Sequence, residues 1–142
     1  MSRILVIEDE AVIRGALRRL LERNGYEVLE AASVEDAREI DELDDTDLVI
    51  ADLRLPGDPG TAAIGLVPHA PVLIMTSFAS VRSAVDSMKL GAVDYVAKPF
   101  NHDEMLLSVE RVLGVLRQAL VGAPLGTDLG GLFGRGNLTG QQ

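Results

Sequence analysis

Hydrophobic residues follow two alternating patterns along this chain: short unbroken runs, and longer stretches with helical spacing. Short apolar runs bounded by polar residues are typical of strands that are buried on both faces of a sheet. Such runs lie at residues 4–7, 48–51, 72–75 and 95–97, and residues 26–29 form a similar stretch that contains Glu27. We therefore predict five strands, separated by helical segments.

The stretches after the runs repeat apolar residues every three to four positions, which places those residues on one face of a helix. The predicted helices cover residues 13–21, 33–42, 62–66, 80–90 and 101–120. Two of them begin with N-capping signals, Ser33 followed by Asp36 and Asn101 followed by Glu104. These signals indicate where the second and the last helix start.

Two of the predicted helices need further comment. The third is weak, because the span between Gly60 and Pro71 leaves room for only about two turns. In the fourth, the apolar positions are expected to face the core. They are Val81, Ala84, Val85 and Met88.

Strands that alternate with helices indicate a parallel sheet covered on both faces, because parallel strands need crossover connections. The predicted fold class is a doubly wound α/β sandwich with the flavodoxin-like strand order 2-1-3-4-5. Glycine accounts for 7 of the last 21 residues. We predict one domain over residues 1–121 and a flexible tail or interdomain linker over residues 122–142.

Charge and composition exclude several classes of function. Acidic residues outnumber basic ones 22 to 13, giving a net charge of −9, which argues against direct binding of nucleic acid. The absence of cysteine excludes disulfides and thiolate chemistry. The N-terminal sequence has neither a signal-peptide pattern nor a membrane-spanning apolar run, so we predict a cytoplasmic protein with no membrane partner.

Polar residues collect just after the predicted strands, where an open α/β sheet binds its ligands. They are Glu8 and Asp9 after strand one, Asp52 after strand three, Thr76 after strand four and Lys98 after strand five. With strands one and three as neighbours, the carboxylates crowd one crevice and repel unless a cation neutralises them. Carboxylates with no His or Cys nearby suit Mg²⁺, which we predict as the cofactor.

A metal beside a carboxylate favours phosphoryl transfer, which depends on positioning and charge neutralisation. Asp52 is the candidate nucleophile, Lys98 would bring positive charge to the phosphoryl oxygens, and the Thr76 hydroxyl would donate a hydrogen bond to one of them. Taken singly, the same residues could be a loop-capping aspartate, a solvated lysine and a strand-end hydroxyl.

The whole set of motifs resembles bacterial response-regulator receiver domains over about residues 3–120. The motifs are Glu8-Asp9, Asp52, Pro56 with Gly60, Thr76-Ser77, Tyr95 and Lys98-Pro99-Phe100. The resemblance implies a Mg²⁺ site formed by Asp9, Asp52 and the backbone carbonyl of Arg54, with Glu8 holding a metal-bound water. Glu8 departs from the family's commoner aspartate by one methylene group, which a contact through water should tolerate.

The resemblance also implies how such a domain works. A sensor histidine kinase would phosphorylate Asp52, Thr76 would move toward the phosphoryl group, and Tyr95 would rotate inward as part of the switch. The Lys98-Pro99 peptide is expected to be cis. Family members commonly form phosphorylation-promoted homodimers through the face of helix four, strand five and helix five. Residues 84–100 are most similar to receivers of the sigma-54 class of transcription activators.

Other functions compete with this interpretation. A haloacid-dehalogenase-type phosphatase would need a second aspartate two residues after its nucleophile, where this chain has Arg54. An FMN-binding flavodoxin would need a phosphate-cradling first loop, and here that loop is acidic. We therefore expect a signalling phosphoacceptor and not an enzyme. It is either a stand-alone receiver that binds other proteins, or the N-terminal part of a longer transcription regulator, which the Gly-rich end favours.

Overall fold

The computed structural model describes residues 1–77 and 80–121, and in the last helix the side chains only as far as Gly114. Two compact units are present, the first covering Met1–Ser108 and the second beginning at Val109. The sheet and the candidate site lie in the first unit. The predicted tail, residues 122–142, lies outside the described residues, and its boundary stays a prediction.

Five parallel strands form one sheet in the order β2-β1-β3-β4-β5. The strands are β1 (Arg3–Ile7), β2 (Glu27–Ala31), β3 (Leu48–Asp52), β4 (Val72–Thr76) and β5 (Asp94–Ala97). Every residue of the central strands β3 and β4 is buried, as continuous apolar runs require. The predicted fold class and strand order are confirmed.

Strand register brings the carboxyl ends of the strands together at one edge of the sheet. Ile7 at the end of β1 pairs with Ala51, and the next residue of β3, Asp52, pairs with Met75. At the end of β4, Thr76 pairs with Ala97 of β5. The polar residues that follow these positions are therefore neighbours in space.

Within residues 1–77 and 80–121, four α-helices connect and follow the strands. They are α1 (Ala11–Arg23), α2 (Val34–Arg38), α3 (Val81–Lys89) and α4 (His102–Val121). Both predicted N-caps are present, because Ser33 Oγ accepts a bond from the Asp36 N–H at 3.0 Å and Asn101 Oδ1 accepts one from the Glu104 N–H at 2.7 Å. Among the described residues, no helix is both long and apolar enough to cross a membrane.

Two predicted helices are shorter than the sequence suggested. The helix expected at 62–66 is wrong: the chain makes one 3₁₀ turn at Gly60–Ala63 and then passes through Gly65, whose φ of +87° lies outside the helical range. The helix expected at 33–42 ends at Arg38. Five acidic residues lie within 39–45, and negative charge at a helix C-terminus opposes the helix dipole.

The inward face of α3 differs from the prediction. Val81, Val85 and Met88 are 83%, 44% and 45% exposed, whereas Ser87 is buried. Ser83 is half-buried and its Oγ accepts a hydrogen bond from a neighbouring strand, which offsets part of the cost of facing it inward. The helix therefore turns a hydroxyl-bearing side to the domain and leaves an apolar stripe outside.

Candidate functional site

The loop after β1 places two carboxylates at the carboxyl edge of the sheet. The backbone N–H of Glu8 donates to the Ala31 carbonyl of β2 at 3.0 Å, so the loop continues the line of β1 before turning away. Glu8 is fully buried, and its Oε2 accepts a bond from the Glu10 N–H at 3.0 Å. Asp9 is exposed. The pair thus offers one carboxylate inside the crevice and one at its mouth.

Lys98 joins the ends of three strands. Its backbone N–H donates to the Thr76 carbonyl at 2.8 Å, which fixes the residue just beyond β5. Its Nζ donates to Glu8 Oε1 at 2.9 Å and to Asp52 Oδ2 at 3.1 Å. All three side chains are at most 9% exposed. One ammonium group therefore bridges two buried carboxylates.

Burial and hydrogen bonding have opposite effects on the pKa values of the Glu8 carboxyl and the Lys98 ammonium group. Burial raises the pKa of the Glu8 carboxyl, only partly opposed by the Lys98 hydrogen bond and the Glu10 N–H. Burial alone would lower the pKa of the Lys98 ammonium, but its hydrogen bonds to Glu8 and Asp52 outweigh this and the net shift is upward. Lys98 therefore stays charged at neutral pH.

The three acidic residues have the geometry of a metal site. Glu8, Asp9 and Asp52 each offer a carboxylate oxygen, and these oxygens lie within 4.8 Å of one another. The cluster therefore has three carboxyl groups but, in Lys98, one ammonium group. Hard oxygen ligands and an excess of acidic groups suit a divalent cation such as Mg²⁺. The residues present fit the predicted cofactor.

The other predicted site residues surround this cluster at different distances. Thr76 is fully buried at the end of β4. Tyr95 is half-buried, and its hydroxyl donates to Ser83 Oγ of α3 at 2.7 Å instead of reaching the carboxylates. Arg54 follows Asp52 in the loop after β3 with its side chain exposed. The predicted cis peptide at Lys98-Pro99 is present.

Comparison with known families agrees with this geometry. The family described as the response regulator receiver domain matches residues 4–110, which include the whole acidic cluster and Lys98. The chain belongs to the response regulator receiver family. The match covers most of the described residues, including all five strands of the receiver domain.

Individual relatives and structures resemble this receiver domain over most of its length. The response regulator protein FleR of Pseudomonas aeruginosa is 37% identical over 78% of this chain and 24% of its own. A Burkholderia pseudomallei response regulator with a phosphorylated aspartic acid, calcium ion and citrate is 32% identical (86% of this chain, 75% of that chain, TM-score 0.69). The beryllofluoride-activated NtrC4 receiver domain dimer is 28% identical (78% and 95%, TM-score 0.70). This receiver spans 24% of the length of FleR and 58% of the length of the transcriptional regulatory protein PdtaR of Mycobacterium tuberculosis.

Two residues that contact the site of the receiver were not singled out in the sequence. Arg14 of α1 donates to the backbone carbonyl of Glu8, and Ser83 of α3 accepts the hydrogen bond of Tyr95. Arg14 lies among several basic residues on the polar face of its helix, and Ser83 lay on the side of α3 that was expected to be the polar one. Neither position carried a distinguishing pattern, because both contacts depend on tertiary packing.

Proposed function

We propose that this receiver domain accepts a phosphoryl group on Asp52 in a Mg²⁺-dependent reaction. Asp9, Asp52 and the backbone carbonyl of Arg54 would hold the ion, and Glu8 would bind one of its waters. Lys98 would then pair with the phosphoryl oxygens, and the Thr76 hydroxyl would donate to one of them. The bound cation would supply charge neutralisation for the incoming phosphoryl group.

The bridged pair of buried carboxylates is the observation that supports this proposal most strongly. Burying a carboxylate without a partner costs several kcal/mol. A purely structural ion pair would therefore favour one carboxylate for each ammonium group. Here Lys98 contacts both Glu8 and Asp52, and Asp9 adds a third carboxylate at the mouth. The excess of acidic groups over the one ammonium group, together with the exposure of Asp9, favours a site that binds a cation and then a phosphoryl group.

The donor we propose is a phosphohistidine of a sensor histidine kinase. A carboxylate oxygen of Asp52 attacks phosphorus, the new O–P bond forms, and the N–P bond breaks with its electron pair retained by the imidazole. The product is an acyl phosphate on Asp52. The chain contributes a positioned nucleophile and a fixed cation, Lys98, which is already within 3.1 Å of that carboxylate.

The output we propose is a change in self-association that controls transcription. The exposed apolar stripe of α3 and the exposed residues Val93, before β5, and Leu107, on α4, belong to the elements predicted for dimerisation. Phosphorylation would shift an existing equilibrium toward the dimer, with Thr76 and Tyr95 as the switch residues. A relative named transcriptional regulatory protein ZraR, from Salmonella typhimurium, supports such an output. Cytoplasmic location stays a prediction.

The test of the proposed function is a mass measurement after incubation with Mg²⁺ and acetyl phosphate. We expect the parent to gain the mass of one phosphoryl group and Asp52→Asn to gain none. Asp58→Asn is the matched control, because Asp58 is an exposed aspartate of the same loop that forms a surface ion pair with Arg38. If the parent binds Mg²⁺ but gains no mass, or if Asp52→Asn is still modified, the assignment of Asp52 is wrong.

A further inference from the structure

We propose that Arg14 is a positioning residue for the metal site: it holds the acidic loop after β1 in the geometry that binds the divalent cation. This inference rests on the proposed Mg²⁺ site. Arg14 itself contacts none of the three carboxylates of the cluster. It acts through the main chain of Glu8, the residue between β1 and Asp9.

The contacts of Arg14 connect this loop to the neighbouring strand. Arg14 Nη1 donates to the Glu8 carbonyl oxygen at 2.7 Å, and Arg14 Nε donates to Glu30 Oε1 at 3.2 Å. Glu30 belongs to β2, whose next residue, Ala31, accepts the Glu8 N–H. Both backbone polar groups of Glu8 are thus tied, the N–H by β2 directly and the carbonyl by β2 through Arg14.

A second arginine holds Glu30 in place. Arg18 Nη1 pairs with Glu30 Oε2, the oxygen that Arg14 does not use, and Arg18 Nε donates to Glu22 Oε2 at 3.0 Å. Both oxygens of Glu30 are therefore engaged from α1. A guanidinium group can donate in two directions within one plane, which an ammonium group on a flexible stem does less well.

Fixing the Glu8 carbonyl matters because the peptide unit after it leads directly to Asp9. Mg²⁺ demands near-ideal octahedral geometry, so an error of a few tenths of an ångström in ligand placement weakens binding. Residues that orient ligands without touching the ion typically contribute tenfold or more to metal affinity. Arg14 is only 22% exposed, which limits the freedom of its contact with Glu8.

The direction in which the removal of Arg14 changes Mg²⁺ affinity distinguishes positioning from simple electrostatics. Arg14 is a cation near a cation site, so Coulomb repulsion alone predicts that its removal would tighten Mg²⁺ binding. Positioning predicts the opposite. The two explanations therefore differ in direction as well as in size.

The experiment measures the Mg²⁺ dissociation constant of the parent, Arg14→Met and Arg14→Lys by calorimetric titration, and the thermal unfolding of each in EDTA. Arg3→Met is the matched control. Arg3 also pairs with a glutamate of β2, Glu27 at 2.8 Å, but it lies at the opposite end of β1. The Arg3→Met variant removes the same charge and an ion pair to the same strand, β2, at a position away from the acidic loop.

We expect Arg14→Met to weaken Mg²⁺ binding by about tenfold. Arg14→Lys should lie between that variant and the parent, and Arg3→Met should match the parent. Tighter or unchanged binding in a folded Arg14→Met chain would overturn the inference while leaving the proposed function intact. So would a loss in Arg3→Met as large as in Arg14→Met. A parent with no saturable Mg²⁺ binding would overturn the proposed metal site itself, and this inference with it.

Discussion

Thr46 carries the one buried side-chain oxygen in the described part of the chain that has no hydrogen-bond partner. Its backbone groups are satisfied, since the Leu43 carbonyl accepts its N–H at 3.1 Å and His69 Nε2 lies 2.9 Å from its carbonyl oxygen. The hydroxyl, two residues before β3, therefore costs desolvation energy that no contact returns.

We expect Thr46→Val to raise the free energy of unfolding by about 1 kcal/mol, because valine keeps the branched shape and removes the unpaired hydroxyl. Urea unfolding followed by circular dichroism measures the change. Thr46→Ser is the control: it keeps the hydroxyl but loses a buried methyl group, and should lower stability by about 1 kcal/mol. A valine variant less stable than the parent would mean that the oxygen has a partner, such as a buried water.

At the residue scale, the sequence predicted which side chains lie close together, but it did not predict the hydrogen bonds between them. Glu8, Asp52 and Lys98 were expected at one edge because each follows a buried strand, and the structure brings them into contact. The shared use of Lys98 by two carboxylates was not predictable, since it depends on strand register. The hydroxyl of Tyr95 pairing with Ser83 was missed for the same reason.

At the scale of elements, the 3₁₀ turn at Gly60–Ala63 packs against the end of β3, the strand that carries Asp52. The Gly60 N–H donates to the Leu53 carbonyl at 2.9 Å, and the turn packs directly on the end of β3. A side chain at Gly60 would begin only 2.8 Å from the carbonyl carbon of Asp52. The nearest atoms belong to the backbone of Asp52 and Leu53, so a side chain at position 60 would fit only if this main chain moved.

We expect Gly60→Ala to lower the free energy of unfolding by about 3 kcal/mol and to slow phosphorylation of Asp52, because overpacking here displaces main chain. Chemical unfolding and the acetyl phosphate assay measure the two effects. Gly15→Ala is the control, since a side chain there meets only the end of Arg19 at 3.5 Å, inside α1. It should raise stability by about 0.5–1 kcal/mol. Equal stability of the two variants would contradict the close approach at Gly60.

Element types were predictable where periodicity was strong and failed where it was not. All five strands were found within a few residues, because short, mostly apolar stretches bounded by polar residues are typical of buried strands. The third helix was overpredicted, since alanines at 62 and 63 favour a helix locally while Gly65 ends it. On α3 the apolar face was assigned inward by default, but Val81 and Met88 lie outside.

At the scale of the whole molecule, the outward apolar stripe of α3 is the natural test of self-association. An exposed apolar stripe in an otherwise strongly acidic chain reduces charge repulsion between copies at that face. If phosphorylation promotes the homodimer through this surface, a charge placed within it should keep the protein monomeric without unfolding it.

We expect Val85→Asp to remain monomeric after treatment with acetyl phosphate, whereas the parent becomes dimeric; light scattering after size-exclusion chromatography measures both. Its free energy of unfolding should stay within about 0.5 kcal/mol of the parent, since Val85 is 44% exposed. Val12→Asp is the control, an exposed valine on α1, which should dimerise like the parent. Dimerisation of phosphorylated Val85→Asp would show that another surface is used.

The candidate site occupies the carboxyl edge of the sheet, and exposed Asp44 lies in the turn that leads into β3 at the opposite edge. Because the chain contains no cysteine, Asp44→Cys would introduce a single thiol at a known place. A dye or a solid support attached there would leave the candidate site facing solution. The domain is thus suited to oriented immobilisation, in which a protein that binds the candidate site can approach every tethered copy from the same side.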